Sequence, residues 1–437
     1  MNSVIRNSLR AIVACAGLVF ANDAAAQQTT GAVPVVSLAE ARRRAASTDP
    51  SAVAARADLT TASWERRTAR SDLFTPSVTA GLGFTRFSEP FFNFGTGAIT
   101  PNATNATLQV NYTVLGAGKF AELRRANASI ESAEAAQEAS RFQVALAADA
   151  AYFSVLADRE LSRVAADRLK RAEEQFGLAR VRVIEGEAIA SDSLRLLLEV
   201  NRARLGTLQR DSALRVSQLR LGRNIGLSGP ADAAPADSVA PRALPISEDA
   251  AVGELRARGP GTTAARARER RADAVVAAER AGYWPDLLVG ATTGTYDSEF
   301  FPSALKRTQF AITVSIPIWD GGQRELGIAR ARMQRDVTRA EREHTERIAS
   351  EAMSAAYRGY ETARASIELT RVGVAVATEN FRVQRTRYRE GATTSLDLIE
   401  AQVGLSEAEA DAVQARYAAR LALAHIEALL GRRLFEQ

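Results

Sequence analysis

Two periodicities run through this chain, and each occurs twice. From Thr107 to Leu115 apolar and polar residues alternate: Leu108, Val110, Tyr112 and Val114 take one face, Thr107, Gln109, Asn111 and Thr113 the other. Phe310, Ile312, Val314, Ile316 and Ile318 alternate in the same way with Gln309, Ala311, Thr313, Ser315 and Pro317. A weaker alternation precedes each run, at Val78, Ala80, Leu82 and Phe84 and at Leu287, Val289 and Ala291. Each segment is about ten residues long, enough to cross a bilayer as a tilted strand. The connecting loops carry Phe91, Phe92 and Phe94, then Phe300 and Phe301, and aromatics at strand ends suit a membrane–water interface. A half-buried hairpin on a soluble domain gives the same alternation. Two such hairpins with no apolar partner elsewhere in the chain favour the membrane. Four strands cannot close a barrel, and an open edge in lipid is prohibitive, so several chains must pool their strands.

The second periodicity is helical. A first helix is expected from about Ser37 to Leu73, with Ser37 as N-cap, Glu40 as its capping-box partner and a kink at Asp49-Pro50. A long proline-free helix follows from about Lys119 to Ile184, and another from about Asp192 to Asn224. The second half repeats this at about Glu248 to Tyr283, Gln323 to Arg389 and Leu396 to Leu430. At 1.5 Å per residue each long helix spans roughly 100 Å. Two shorter helices placed end to end match that length. A rod of this length buries its apolar stripe along neighbouring rods, not in a globular core. Ala145, Ala147, Ala148, Ala150 and Ala151 permit close approach, and Arg159, Glu160, Arg163 and Asp167 mark a face that meets water.

The halves are copies of one plan. Phe74-Thr75-Pro76 returns as Tyr283-Trp284-Pro285, Glu185-Gly186 as Glu390-Gly391, Asp192 as Asp397 and Gly226 as Gly431. The turn at Gly116-Ala117-Gly118 returns as Asp320-Gly321-Gly322. The offset stays between about 204 and 209 residues, which chance matches would not hold. Between the copies lies a linker, residues 228–246, with Pro230, Pro235, Pro241 and Pro245. The expected organisation is therefore a signal peptide over 1–26, a first repeat over 27–227, the Pro/Ala-rich linker, and a second repeat over 247–437.

Composition narrows the function. Of the 56 basic residues only Lys119, Lys170 and Lys306 are lysines, and 51 acids leave a net charge of +5. The run Arg266, Arg268, Arg270 and Arg271 has no aromatic residues among it to stack on bases, so it reads as a solvated helix face and not as a nucleic-acid site. Arg6 and Arg10 precede an apolar run, Ala11 to Ala21, too short to span a bilayer as a helix. Ala24-Ala25-Ala26 offers cleavage before Gln27, marking an exported chain. Ile12-Val13-Ala14-Cys15 also resembles a lipoprotein cleavage box, with only four apolar residues between Arg10 and Cys15. Whether Cys15, the sole cysteine, carries lipid stays open. Cleavage at Ala26 leaves a mature chain without disulfides.

No constellation for catalysis is present in the sequence, and no cofactor or metal is expected. His344 and His425 are far apart and lack a second ligand at metal spacing. Gly116-Ala117-Gly118-Lys119 continues with Phe120 where a phosphate loop needs Ser or Thr, and reads better as a strand-to-helix turn.

In its duplicated plan, the prolines opening each hairpin (Pro76, Pro285), the glycine turns and the tip loops Glu185-Gly186-Glu187-Ala188 and Glu390-Gly391-Ala392-Thr393, the chain resembles the TolC-type outer-membrane efflux proteins. The resemblance implies a mainly α protein with transmembrane β-strands. It implies a homotrimer whose strands form one 12-stranded β-barrel continued by a long α-helical barrel through the periplasm. The implied function is that of a channel subunit in a tripartite efflux or type I secretion system, a passive conduit and not an enzyme. Implied partners are a periplasmic adaptor (membrane fusion) protein at the tip loops around Gly186 and Gly391, an inner-membrane pump of the RND, ABC or MFS type, and outer-membrane lipid. Facing lipid would be Leu108, Val110, Tyr112, Val114, Phe310, Ile312, Val314 and Ile316. The resemblance also implies a periplasmic gate, at Asp192, Tyr388, Asp397 and Glu400. The family's basic residue in the second tip loop is replaced here by Thr393, which points to Arg387 or Arg389 as the group holding the gate closed. The rival reading is a periplasmic coiled-coil adaptor or scaffold without channel activity; against it, the chain has two long hairpins and none of the small β domains that usually flank an adaptor's single hairpin. The cargo, pump and adaptor are not written in the sequence.

Overall fold

The computed structural model describes residues 33–93, 97–235, 242–297 and 305–435. The expected signal peptide, Cys15, Phe94, Phe300, Phe301 and Pro241 lie outside these residues.

The first repeat opens with a two-residue strand β1 (Val35–Val36), followed by α1 (Leu38–Thr48) and α2 (Pro50–Phe74). Ser37 caps α1, its hydroxyl accepting from the Glu40 amide at 3.2 Å. The expected kink at Asp49-Pro50 is a full break: Asp49 is extended, ends α1 and caps α2, whose first residue is proline. Strands β2 (Ser77–Asn93) and β3 (Ala98–Gly116) follow, then the rod α3 (Ala117–Ile184) and α4 (Ala190–Asn224). After a two-residue β4 (Asp232–Ala233) the second repeat supplies α5 (Glu248–Arg258), α6 (Pro260–Ala281), β5 (Asp286–Asp297), β6 (Leu305–Ser315), α7 (Gln323–Arg389) and α8 (Ser395–Leu430). The single helix expected from Glu248 to Tyr283 is broken at Gly259-Pro260, because proline cannot continue a helix except in its first turn. The rods hold 68 and 67 residues, about 100 Å each.

Packing follows the length argument. Helices α1 and α2 lie on one stretch of α3 and α4 on another, while α5, α6 and α8 share α7 in the same way. Helix α3 also contacts α6 and α8, which joins the repeats. The widest apolar clusters sit midway: Tyr152, Val155, Leu156, Leu221 and Ile225 in one repeat, Leu255, Met353, Tyr360, Ile426 and Leu430 in the other. The described residues just after α4 are held in place despite the prolines of the linker. Its Asp232–Ala233 pairs in parallel with Val35–Val36, and the Tyr152 hydroxyl donates to the Ala234 carbonyl at 2.7 Å.

Strands β2, β3, β5 and β6 form one antiparallel sheet in that order. The first hairpin is longer than the expected ten residues, at 17 and 19 residues against 12 and 11 for the second. Its surplus runs beyond the last β3–β5 pair, Thr104 with Asp297, and holds a register shift between Arg86 and Phe91. Val78, Val110, Ala291 and Phe310 stand side by side across all four strands, so the apolar positions of each share one face. That face is open to solvent in the single chain: Phe310 is 81%, Ile312 75% and Val314 61% exposed. Ile316 lies one residue past the end of β6.

The turns from strand to rod differ between repeats. Lys119 donates to the Thr113 carbonyl at 2.8 Å and lies over the Tyr112 ring, 4.7 Å from its centroid. In the second repeat Arg324 takes this place, donating to Asp320 at 2.8 Å and covering Tyr283 at 4.8 Å. Gly321 and Gly322 have φ of 71° and 83°, a region that favours glycine. Gly116 instead needs space, since a Cβ there would stand 3.0 Å from the Asp286 carboxylate.

Candidate gate at the helix tips

The two helical hairpins turn at matching loops. Helix α3 ends at Ile184 and α7 at Arg389, each followed by a glutamate and a glycine with positive φ, Gly186 at 80° and Gly391 at 76°. These are left-handed helix ends, where a side chain would be strained. The exits diverge. Helix α4 starts after Ile189 with no side-chain cap, leaving Asp192 in its first turn. Helix α8 starts with a full capping box: Thr394 accepts from the Asp397 amide at 3.2 Å, and the Asp397 carboxylate accepts from the Thr394 amide at 3.1 Å.

Four predicted gate residues fall at this end of the molecule, in different settings. Tyr388, the last buried residue of α7, is 1% exposed and packs with Leu196, Phe381, Leu398 and Leu405. Its hydroxyl has no hydrogen-bond partner among the described residues. Burial raises its pKa, and the Asp192 charge adds to the rise while Arg182 opposes it. Asp192 is half-buried and accepts from the Ser395 hydroxyl at 2.8 Å. Asp397 also accepts from the hydroxyls of Thr394, at 2.5 Å, and Thr393, at 2.9 Å. These bonds, the Thr394 hydroxyl first, hold its carboxyl below the ordinary aspartate value, with the Arg387 charge a smaller cause. Glu400 is exposed.

Two residues of this cluster are not legible in the sequence. Arg182, on α3, donates to the Tyr388 carbonyl and holds its guanidinium over the Tyr388 ring, 5.2 Å from the centroid. It also lies 3.6 Å from the Glu187 carboxylate. Arg387, expected at the closure, donates among the described residues to the Ala392 carbonyl of its own loop, at 3.4 Å. Ser395 is the second, fully buried beside Asp192. Arg182–Tyr388 and Asp192–Ser395 thus tie the first hairpin to the second. Gly391 leaves room for this, since a Cβ there would approach the Arg182 guanidinium to 3.2 Å.

Farther from the tips the hairpins are joined by a polar ladder. Gln402 donates to the Arg168 carbonyl at 3.1 Å, Arg171 pairs with Glu409 at 2.9 Å, and Glu160 accepts from Tyr417 and Arg416, each at 2.8 Å. Among the described residues no group of His, Cys, Asp and Glu could hold a metal ion, and no helix is long and apolar enough to cross a membrane.

Comparison with known proteins meets this geometry from outside. The family profile described as "Outer membrane efflux protein" matches residues 41–227 and 251–432. Outer membrane protein OprJ of Pseudomonas aeruginosa is 28% identical over 286 residues, 63% of this chain and 59% of that protein. The probable efflux pump outer membrane protein TtgC of Pseudomonas putida is 26% identical over 357 residues, 78% of this chain and 72% of that one. The match to OprJ therefore spans about three fifths of that relative's length. Among solved structures, a membrane protein from Pseudomonas aeruginosa superposes with a TM-score of 0.77 at 20% identity, covering 92% of this chain and 91% of the other. The open-state MtrE outer membrane channel of Neisseria gonorrhoeae gives 0.72 at 20%, covering 91% and 89%. At these identities the structural likeness is one of fold.

Proposed function

Because this chain belongs to the outer membrane efflux protein family, we propose that it is the outer-membrane channel subunit of a tripartite efflux or type I secretion system, a passive conduit from the periplasm to the exterior. One observation carries the reading. A four-stranded sheet with both edges free and an apolar face in the open is continuous with two rods of about 100 Å. Free strand edges cannot stand in hydrocarbon. Pooling the sheet from three copies gives twelve strands and closes the edges, and the rods then continue the wall as a periplasmic tunnel. A scaffold protein in water has no use for such a face.

In this reading Leu108, Val110, Tyr112, Val114, Phe310, Ile312, Val314 and Ile316 face lipid, while Gln109 and Thr313 face the lumen. The tips form the periplasmic gate. Arg182 and Ser395 hold the second hairpin against the first through Tyr388 and Asp192, and Asp397 and Glu400 bring carboxylates to the constriction. Charged rings in a narrow opening select counter-ions, so the pore prefers cations. The loops at Gly186 and Gly391 receive a periplasmic adaptor, and an inner-membrane pump supplies the energy. Fractionation tests the whole reading: the mature protein is expected in the outer membrane, migrating as a trimer in mild detergent. A soluble periplasmic monomer would overturn it.

A further inference from the structure

The apolar face of the sheet ends differently on its edge strands than on its central ones. On β2 the run Val78, Ala80, Leu82, Phe84 is followed on the same face by Arg86. On β6 the run Val314, Ile312, Phe310 is followed by Thr308 and then Lys306. On the central strands the same face ends without a base, at Thr104 and Asn102 on β3 and at Thr293, Thr295 and Asp297 on β5. Arg86 and Lys306 are both exposed, and neither has an ion pair or hydrogen bond with another described residue. Both lie at the end of the sheet away from the helices, since β2 begins just after α2 and β6 ends just before α7. Lys306 is one of three lysines in a chain whose other 53 bases are arginine.

Strands β2 and β6 are the two free edges of the sheet. Closing a barrel from several copies sets β6 of one copy beside β2 of the next. Each seam then carries an arginine from one copy and a lysine from the other, on the outer face, where the apolar band meets the exterior. We propose that each seam binds the phosphorylated headgroup of an outer-leaflet glycolipid, its acyl chains lying on the apolar row and its phosphate between Arg86 and Lys306 of adjoining copies. The proposal rests on the three-copy barrel proposed above. The chemistry fits the pair: a guanidinium takes phosphate oxygens through two parallel N–H donors, while an ammonium adds a point charge. Bases at a membrane surface attract anionic headgroups. The neighbouring Arg307 lies on the opposite face of β6 and serves as an internal control.

The test uses the full mature protein in nanodiscs of phosphatidylcholine, with or without diphosphoryl lipid A or its dephosphorylated form. The trimer band in phosphatidylcholine alone is checked first; its failure to form overturns the barrel and this site with it. With the trimer present, diphosphoryl lipid A is expected to co-purify with it, counted by native mass spectrometry, and to raise the temperature of trimer dissociation. Arg86→Gln/Lys306→Gln should retain lipid A about thirtyfold more weakly per seam and lose that rise, taking the surface attraction of two bases. Arg307→Gln should retain it fully. Equal retention by wild type and the double variant overturns the site while leaving the barrel standing. So does an equal rise with dephosphorylated lipid A, or with inorganic phosphate added to phosphatidylcholine nanodiscs.

Discussion

The Ser395 hydroxyl donates to Asp192 Oδ1 at 2.8 Å, joining the first residue of α8 to the first turn of α4. Ser395 is fully buried and Asp192 half-buried, so the donor side of this bond is closed to water. It and the Arg182–Tyr388 contact cross between hairpins that have no chain connection near the tips. Opening the tips by moving one hairpin against the other breaks both.

Ser395→Ala removes a hydrogen bond to a carboxylate, which contributes about 1.5–3 kcal/mol. The variant should assemble as a trimer and show a raised resting conductance in planar bilayers. Arg182→Ala should act in the same direction. A resting conductance equal to wild type in both variants would show that these contacts do not hold the closed state.

Tyr388 separates ring from hydroxyl. Its hydroxyl is buried without a hydrogen-bond partner among the described residues, while the ring packs against Leu398 and under Arg182. Removing an unsatisfied buried polar group costs little. Tyr388→Phe should therefore leave resting conductance near wild type and Tyr388→Ala should raise it; an equal rise in both would mean that the hydroxyl acts after all.

The two acids of α8 should also separate. Glu400 is exposed, whereas Asp397 is committed to the capping box. Glu400→Ala should weaken cation preference and block by polyvalent cations, with the α8 start intact. Thr394→Ala should instead cost about 1 kcal/mol of helix stability by loss of the cap. Reversal potentials under a salt gradient and thermal unfolding read the two effects apart.

Asp397 also gives the tip a pH dependence. Its folded pKa lies below the unfolded value, so its contribution to stability is complete above the unfolded pKa and is lost as pH falls through the folded one. The α8 start should fray below about pH 4 and be indifferent between pH 6 and pH 8 at about the reference aspartate value. Hydrogen exchange of the amides at Thr394 and Asp397 measures this, and equal protection at pH 3 and pH 7 counts against it.

Strand polarity has its own assay. Arg in place of Val110 or Val314 should cost roughly 2–4 kcal/mol near the bilayer midplane and reduce trimer yield, whereas Arg at Gln109 or Thr313 should be tolerated. Equal defects in both sets would reverse the assignment of faces.

Alternation of period two, helical runs unbroken by proline, and glycines repeated at one offset are local signals. They record backbone dihedrals and the side of an element that leaves water, and so placed the rods, the tip loops and the second hairpin within a few residues, and of the first hairpin only the part next to the helices. Breaks at Asp49 and Gly259 and the added length of the first hairpin lie at the margin of such signals, where one extended residue ends a helix and pairing, not composition, ends a strand. The choice of partners is different in kind. Nothing near Arg182 marks it out from the other arginines of its helix, and Ser395 reads as an ordinary helix start. Their roles arise because packing along α3 and α8 brings the two tips side by side, with residues some 200 positions apart in sequence meeting in one buried cluster. The pairing of Val35–Val36 with Asp232–Ala233 has the same origin. A sequence of local preferences settles which elements form; the register between long rods, set by packing along their whole length, decides which of their many similar side chains touch.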